Sequence, residues 1–287
     1  MKKNESGQAL ILILLSLSVV LTLILYILSR SVTDVAVSGT QEESVRAFSA
    51  AEAGVEKALV VGSASQGIGD SSYVANVTNF AQGSQSFNYP ISLSAGDTAT
   101  AWLASRDASG NLTSPGSFNS ITVCWGDAAT APAIEVSVYY ESTPGNPLTT
   151  AANLATIKIA RIAFDPNAGR SGASGNNFTT VTGNTCTILG QTYAFQQTIT
   201  FASFSPAVTS TGLILARVRM LYNSIPQNVG IILPSALPSQ GQLITSTGNA
   251  GAVGGVGGSN RKISVFQGWP EFPFASNSIF SPDGVIK

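Results

Sequence analysis

Residues 9–28 read ALILILLSLSVVLTLILYIL, an apolar run without a charged side chain. A helix rises about 1.5 Å per residue, so this run covers roughly 30 Å, the thickness of the hydrocarbon core of a bilayer. Ser16, Ser18 and Thr22 carry aliphatic hydroxyl groups inside the run, and each hydroxyl can donate to a backbone carbonyl one turn earlier. The run therefore predicts a transmembrane helix over residues 8–29.

Basic residues flank this span unequally. Lys2 and Lys3 precede it, and Arg30 is the one basic residue directly behind it. The positive-inside bias favours a cytoplasmic N-terminus and an extracytoplasmic remainder. A removable secretory signal would have an apolar region of about 7–15 residues and an A-x-A-like cleavage site, and the sequence meets neither condition.

The sequence behind the span continues as a helix former. Residues 30–61 contain no proline and are rich in Ala and Glu, and apolar residues recur there at steps of three or four: Val45, Phe48, Ala51, Val55 and Leu59. This spacing predicts an amphipathic helix over 30–61 that continues the span. Gly39 and Gly54 each cost about 1 kcal/mol relative to Ala, but neither compels a break.

Three features occur together and in order at the N-terminus. They are a short basic leader ending at Gly7, a span that begins Gln-Ala-Leu-Ile, and the stretch AFSAAEAGVEKAL at residues 47–59. The combination resembles the N-terminal module of the type IV pilin-like superfamily, and the stretch is most similar to minor pilins and pilus-assembly, pseudopilin-like proteins. The resemblance implies that a prepilin peptidase removes the leader, residues 1–7, between Gly7 and Gln8, and that the Gln8 amine is methylated.

Membership would also imply assembly with other pilin-like subunits by helix packing. The predicted helix assembly face consists of Leu12, Val45, Phe48, Ala51, Val55 and Leu59. Most major pilins carry a glutamate at the fifth mature position, where this chain has Leu12. A buried carboxylate in an apolar environment is costly unless it is paired, so its absence removes both a registration device and a penalty. The departure favours a minor subunit over a major one.

The composition changes after residue 61. Residues 62–287 are rich in Thr, Ser, Asn, Gly and short β-branched runs, which predict a β-rich extracytoplasmic head with a candidate subdivision at 168–177. The predicted strands are Ser120–Trp125, Ala133–Tyr140, Thr156–Phe164, Tyr193–Phe201, Gly212–Tyr222, Val229–Leu233 and Arg261–Gln267. A shift of phase within 212–222 predicts a β-bulge. The Gly-rich segment 245–260 predicts a flexible loop or a connection at a sheet edge. The predicted fold class is thus α+β, a long N-terminal helix that carries a β-rich head.

The two cysteines of the chain, Cys124 and Cys186, are predicted to form a disulfide. An exported head lies in an oxidising compartment, and an even count leaves no cysteine over. Closure of a loop of about 60 residues would contribute roughly 4 kcal/mol to stability. Two isolated buried thiols in neighbouring strands remain the alternative.

Composition excludes several classes of function. The chain has no histidine, which removes Ser-His-Asp and Cys-His nucleophile systems and the usual zinc sites. With 10% charged residues and a net charge of −1, it offers no attraction for nucleic acid. Ser259-Asn260-Arg261-Lys262 matches Ser-x-x-Lys, but that motif needs a helix and here a strand is predicted. The sequence predicts no catalytic residue, cofactor or metal site, and hence no enzyme.

The function expected from these features is that of a structural subunit. It would be a minor subunit of a type IV pilus-like filament or secretion pseudopilus, anchored in the membrane and then displayed at the cell surface. The alternative is an adhesin-like surface protein on an uncleaved signal anchor, whose head binds an unknown ligand. Trp269, Phe272 and Phe274 are either an exposed aromatic binding patch or a tail that covers one end of the β core, and we favour the cover.

Overall fold

The computed structural model of the chain describes residues 6–107, 111–143, 157–181, 184–204, 207–251 and 258–271, with side chains from residue 10 onward. Within these ranges it shows an α+β protein with one long N-terminal helix, α1 (Ser6–Val61), and a β-rich body. α1 passes through Gly39 and Gly54 without a break. The continuous helix predicted from the sequence is thus confirmed.

The body consists of seventeen described strands and one 3₁₀ turn, Phe201–Ser203. The strands are β1 (Ala64–Ile68), β2 (Ser71–Asn79), β3 (Ser86–Asn88), β4 (Thr98–Trp102), β5 (Ser105–Arg106), β6 (Leu112–Ser114), β7 (Ser120–Trp125), β8 (Ala133–Glu141), β9 (Ile157–Asp165), β10 (Thr179–Thr180), β11 (Cys186–Ile188), β12 (Gln191–Tyr193), β13 (Phe195–Thr200), β14 (Leu213–Leu221), β15 (Val229–Ile232), β16 (Gly241–Ala250) and β17 (Ser259–Gly268). Each predicted strand is present, with its ends shifted by at most two residues.

The chain forms two compact units. The helix unit comprises Met1–Val77 and Ile244–Val265, and the sandwich unit comprises Thr78–Leu243 and Phe266–Lys287. The first contains α1 and most of a four-stranded sheet of order β1-β2-β16-β17. The second contains the remaining sheets.

The helix unit is held together by a small apolar core. Val55 and Ala58 of α1 pack with Tyr73, Ala75 and Ile244 from the sheet. The core closes one face of the sheet with the second half of α1.

The loop predicted over 245–260 is wrong for residues 245–250 and 259–260, which lie in strands, and residues 252–257 lie outside the described residues. Ten residues, Gly241–Ala250, form strand β16, and β17 begins at Ser259. A Cβ at Gly248 would meet the carbonyl oxygen of Ala47 and the backbone nitrogen of Ala51. The strand therefore has glycine where the helix backbone comes closest, a close-approach role that composition alone does not reveal.

The sandwich unit is built from two sheets over a shared core. A five-stranded sheet has the order β10-β9-β8-β14-β4 and a four-stranded sheet the order β13-β7-β15-β3. Alternate residues of β8 and β7, such as Val136, Val138, Ile121 and Val123, lie in one apolar cluster and are fully buried. The predicted bulge is present, because the β14–β8 register shifts between Leu213 and Leu215.

The hairpin β11–β12 is fastened to the other face of the four-stranded sheet. The predicted disulfide, Cys124–Cys186, is confirmed with a Cα–Cα distance of 5.9 Å. Tyr193 donates its hydroxyl to Asn88 Oδ1 at 2.9 Å, and burial raises the pKa of Tyr193 to about 12. Gly230 lies beneath the hairpin, where a Cβ would approach Ile188 Cδ1 to 2.6 Å.

Candidate assembly surface of the N-terminal helix

The first half of α1 is bare. Its large apolar side chains from Leu10 to Val37 are 50–71% exposed, including Leu12 at 67%. The helix is long and apolar enough to cross a membrane, judged by length and composition. Ser16, Ser18 and Thr22 donate their hydroxyls to carbonyl oxygens three residues earlier at 2.8–2.9 Å. These three hydroxyls are thus satisfied within the helix, as a membrane span requires.

The second half of α1 buries its small residues. Ala47, Ala50, Ala51 and Ala58 are at most 4% exposed, and Val55 is 9% exposed. At Gly54 a Cβ would meet Ser246 Oγ and, at 2.8 Å, Cδ2 of Tyr73. Small side chains at steps of three or four therefore let the helix backbone lie close to the sheet of the helix unit.

The outward side of the same segment carries larger apolar residues. Val45, Phe48 and Leu59 are 61%, 46% and 49% exposed. The predicted assembly face is thus divided, because Ala51 and Val55 are turned inward while these three residues face outward. Ala47, Ala50 and Ala58 lie outside the face predicted from large apolar residues, although their spacing from one another and from Ala51, at steps of three, four and seven, is a signal of one helix face.

A shallow apolar groove runs beside this outward side. Phe48 and Val55 form one wall, Ile263 and Val265 of β17 form the other, and Glu52 lies at the rim. Ile263 and Val265 also pack on the core of the helix unit. The groove continues the apolar surface of α1 onto the edge strand of the sheet.

Two pairs of opposite charges lie four residues apart on α1, and only one of them forms an ion pair. Arg46 and Glu42 form an ion pair in which Nη2 and Oε1 are 2.5 Å apart. Arg30 and Asp34 also lie four residues apart, but they form no ion pair with each other or with another residue among those the structure describes. The surface of the bare half therefore presents one cation and one anion without partners.

The predicted processing site lies at the beginning of α1. Gly7 and Gln8 are in the first turn of the helix Ser6–Val61, where the structure describes the backbone. The bare half begins directly after them. Cleavage and methylation at these residues stay predictions.

Two buried carboxylates end neighbouring strands of the sandwich unit, and sequence analysis singled out neither as buried. Asp165, at the end of β9, accepts two hydrogen bonds from Arg170 at 2.7 and 2.8 Å and one from Asn176 at 2.6 Å. Burial raises the pKa of Asp165, but these bonds and one from the Asn167 amide outweigh it and lower the pKa overall. The network closes the turn over residues 167–178, in which the candidate subdivision lies.

The second carboxylate, Glu141, is fully buried at the end of β8. Neither of its oxygens has a hydrogen-bond partner among the described residues, and burial raises the pKa of Glu141. Among the described residues there is no group of three or more His, Cys, Asp and Glu that could hold a metal ion. Ser259 and Lys262 lie three apart in β17, so their side chains leave opposite faces of the strand.

The C-terminal aromatic segment is described as far as Glu271. Trp269 packs on the cluster around Trp102 and donates its indole N–H to the Ser239 carbonyl at 3.0 Å. The Arg106 guanidinium lies 3.9 Å from the Trp102 ring centroid and 5.5 Å from that of Trp269, and burial lowers the pKa of Arg106 to about 10. Trp269 therefore covers the core, as favoured from the sequence, whereas Phe272 and Phe274 lie outside the described residues.

Comparison of the chain with models of protein families, with curated proteins and with solved structures gives no match. The resemblance of the N-terminal residues to pilin-like proteins stays a prediction. Three features bear on the function of the chain: the leader sequence, the bare half of α1 and the packing of its second half.

Proposed function

We propose that the protein is a structural subunit, a minor one, of a type IV pilus-like filament or a secretion pseudopilus. A prepilin peptidase would cleave it after Gly7, and the bare half of α1 would hold it in the membrane before assembly. The head would then lie outside the cytoplasm. The protein would act by packing, without catalysis.

The division of α1 is the observation that carries this proposal. One uninterrupted helix is packed against its own sheet in the second half and exposes an apolar surface on every side in the first half. Burial of apolar surface stabilises by about 25 cal/mol per Å², so the first half favours lipid or other apolar helices over water. A filament of parallel helices supplies such an environment once the subunit has left the membrane.

The leader is the part of the proposal that an experiment can test most directly. The mature N-terminus should be determined by mass spectrometry of protein from cells with and without an active prepilin peptidase. We expect a chain that begins at methylated Gln8 in the first cells and an intact Met1 leader in the second. A Gly7→Val variant should keep its leader in both cells, and the matched Ser6→Ala variant should be processed normally.

An intact leader in both cells would contradict the proposal. The chain would then be a signal-anchored surface protein, and its head would become the object of a search for a ligand. Processing alone does not place the subunit in a filament, so sheared filaments should also contain the protein. For a minor subunit, Leu12→Glu should give no gain in incorporation, and a large gain would contradict a minor role.

A further inference from the structure

Arg30 and Asp34 are the only charged residues between Gln8 and Gln41. With Tyr26, Ile27 and Ser31, they line one shallow depression on the surface of α1. Every other residue from Gln8 to Gln41 is uncharged. Where this stretch packs among other helices, these are the two charged side chains that must be accommodated, beside the amine of the mature N-terminus at Gln8.

The order of the two charges explains why they do not pair with each other. An acidic residue four positions before a basic one is the better arrangement on a helix, and the reverse order is poorer. Glu42 and Arg46 have the better order and form an ion pair. Arg30 and Asp34 have the reverse order and form none, so both remain available to a partner outside the chain.

We propose that Arg30 of one copy of this chain pairs with Asp34 of a neighbouring parallel copy. This inference rests on the proposed function and assigns a register to the packed helices. Copies inserted into the membrane in the same way are parallel, and an axial shift of about 6 Å brings Arg30 level with the Asp34 of its neighbour. An unpaired charge between packed apolar helices is strongly disfavoured, and a complementary pair removes much of that penalty.

A second copy fits the depression better than a lipid headgroup does. A phosphate would attract Arg30, which lies just beyond the apolar run, but it would repel Asp34 one turn further on. When successive parallel copies are each shifted by about 6 Å, a copy finds an acid for its base in one neighbour and a base for its acid in the neighbour on the other side. The surface is therefore complementary to itself, in the absence of the glutamate that most major pilins use for registration.

Two charge reversals, studied separately and together, test the pairing. The chain with Arg30→Asp has two acids, and the chain with Asp34→Arg has two bases. Full-length chains labelled with donor and acceptor dyes at a C-terminal tag should be placed in phosphatidylcholine vesicles, and association should be measured by energy transfer. We expect each variant alone to associate at least about tenfold more weakly than the wild type, and the two variants mixed to recover to within about threefold.

Recovery in the mixture separates contacts between copies from contacts within one. Glu42→Arg and Arg46→Glu provide the matched control, because that pair is intramolecular, and mixing these two variants should restore nothing. The pairing is refuted if the Arg30→Asp and Asp34→Arg chains associate as the wild type does, or if their mixture stays as weak as each alone. Loss confined to Arg30→Asp without recovery would assign the lipid phosphate instead.

Failure of the pairing and failure of the proposed function are distinguishable. Association in vesicles needs no pilus machinery, whereas processing after Gly7 is measured in cells. A processed chain whose mixed variants do not recover would refute the register alone. An unprocessed chain would refute the proposed function, whatever the vesicle assay shows.

Discussion

Both halves of α1 carry apolar side chains, but only those of the second half are covered in part by the rest of the chain. Side chains from Leu10 to Val37 pack on no described residue, whereas Ala47, Ala51 and Ala58 are at most 4% exposed against a sheet. The difference lies in side-chain size. Small residues face the strands that the chain supplies, and larger ones face outward, where an assembly would supply the partner.

This comparison separates two kinds of substitution. Changes in the part of the chain that is covered from within should alter the free energy of unfolding. Changes in the bare half and on the outward side of α1 should leave the free energy of unfolding almost unchanged and should alter association. The predictions below run from the largest expected effect on folding to the smallest.

Removal of the disulfide should have the largest effect. The bond spans 62 residues, and its loss, with both Cys124 and Cys186 replaced by Ala, should lower the free energy of unfolding by about 4 kcal/mol. Denaturant titration of the full chain in detergent micelles, followed by tryptophan fluorescence, reports on this, since all three Trp residues lie in the sandwich unit. The wild type in the presence of a reducing agent should lose about as much stability as the variant. A loss below about 1 kcal/mol would show that the hairpin β11–β12 is held by its other contacts.

Removal of the charge on Asp165 should have the next largest effect. Asp165→Asn leaves Arg170 without its anion in a site where the Asp side chain is 0% exposed, and should cost about 3 kcal/mol. The exposed Asp70→Asn is the matched control and should change stability by less than about 0.5 kcal/mol.

The pH dependence has a definite sign. The folded-state pKa of Asp165 lies below its usual value of 3.8, so the stability it contributes is complete above that value and is lost as pH falls through the folded-state pKa. The Asp165→Asn variant should lack this acid-sensitive component. The measurement runs from pH 5 to pH 2, a range that brackets the ordinary pKa of Asp at about 3.9. An equal loss of stability in the wild type and the variant would show that Asp165 is not the source of the acid sensitivity.

Sequence periodicity predicted the strands that alternate clearly. β7 and β8 read as apolar and polar residues in turn, because one face of each lies in the sandwich core. β16 does not read in this way, because Gly248 meets the helix backbone and Ser246 is fully buried. Where a strand adapts to a neighbouring backbone, tertiary contact decides the residue and the local pattern loses its meaning.

The assembly surface was predictable in part for a related reason. The helix and its apolar character follow from composition and spacing, so the whole length of α1 was predictable from the sequence. The inward face of α1 consists mainly of alanines and Gly54. These residues are only weakly hydrophobic, so a hydrophobic pattern does not predict that they are buried. Arg30 and Asp34 do not pair with each other because the base precedes the acid along the helix. Glu42 and Arg46 have the opposite order and form an ion pair.

The same substitution, Gly to Ala, can be made at a packed and at an open position of α1. Gly54→Ala should lower the free energy of unfolding of the helix unit by about 1–2 kcal/mol. The cost of overpacking against Tyr73 exceeds the gain in helix propensity. Gly39→Ala has nothing within 4 Å of the new Cβ and should stabilise the helix by up to about 1 kcal/mol. Amide hydrogen exchange at Tyr73 and Ala75 in micelles measures both. Equal responses at the two positions would show that the second half is not packed as described.

The smallest effect on folding is expected at Val45, which is 61% exposed on the outward side of α1. Val45→Ser removes apolar surface that the chain does not cover, so the free energy of unfolding should change by less than about 0.5 kcal/mol, as for exposed positions in general. Under the proposed function, recovery of the protein in sheared filaments should nevertheless fall, because the lost surface would be the part that contacts neighbouring subunits. Ala51→Ser, at a position with 0% exposure, should show the opposite result, with a loss of more than about 1 kcal/mol from a hydroxyl buried in a close contact. If Val45→Ser destabilised the isolated chain as much as Ala51→Ser does, the outward side would be covered from within. In that case the distinction between the two sides of the helix would not hold.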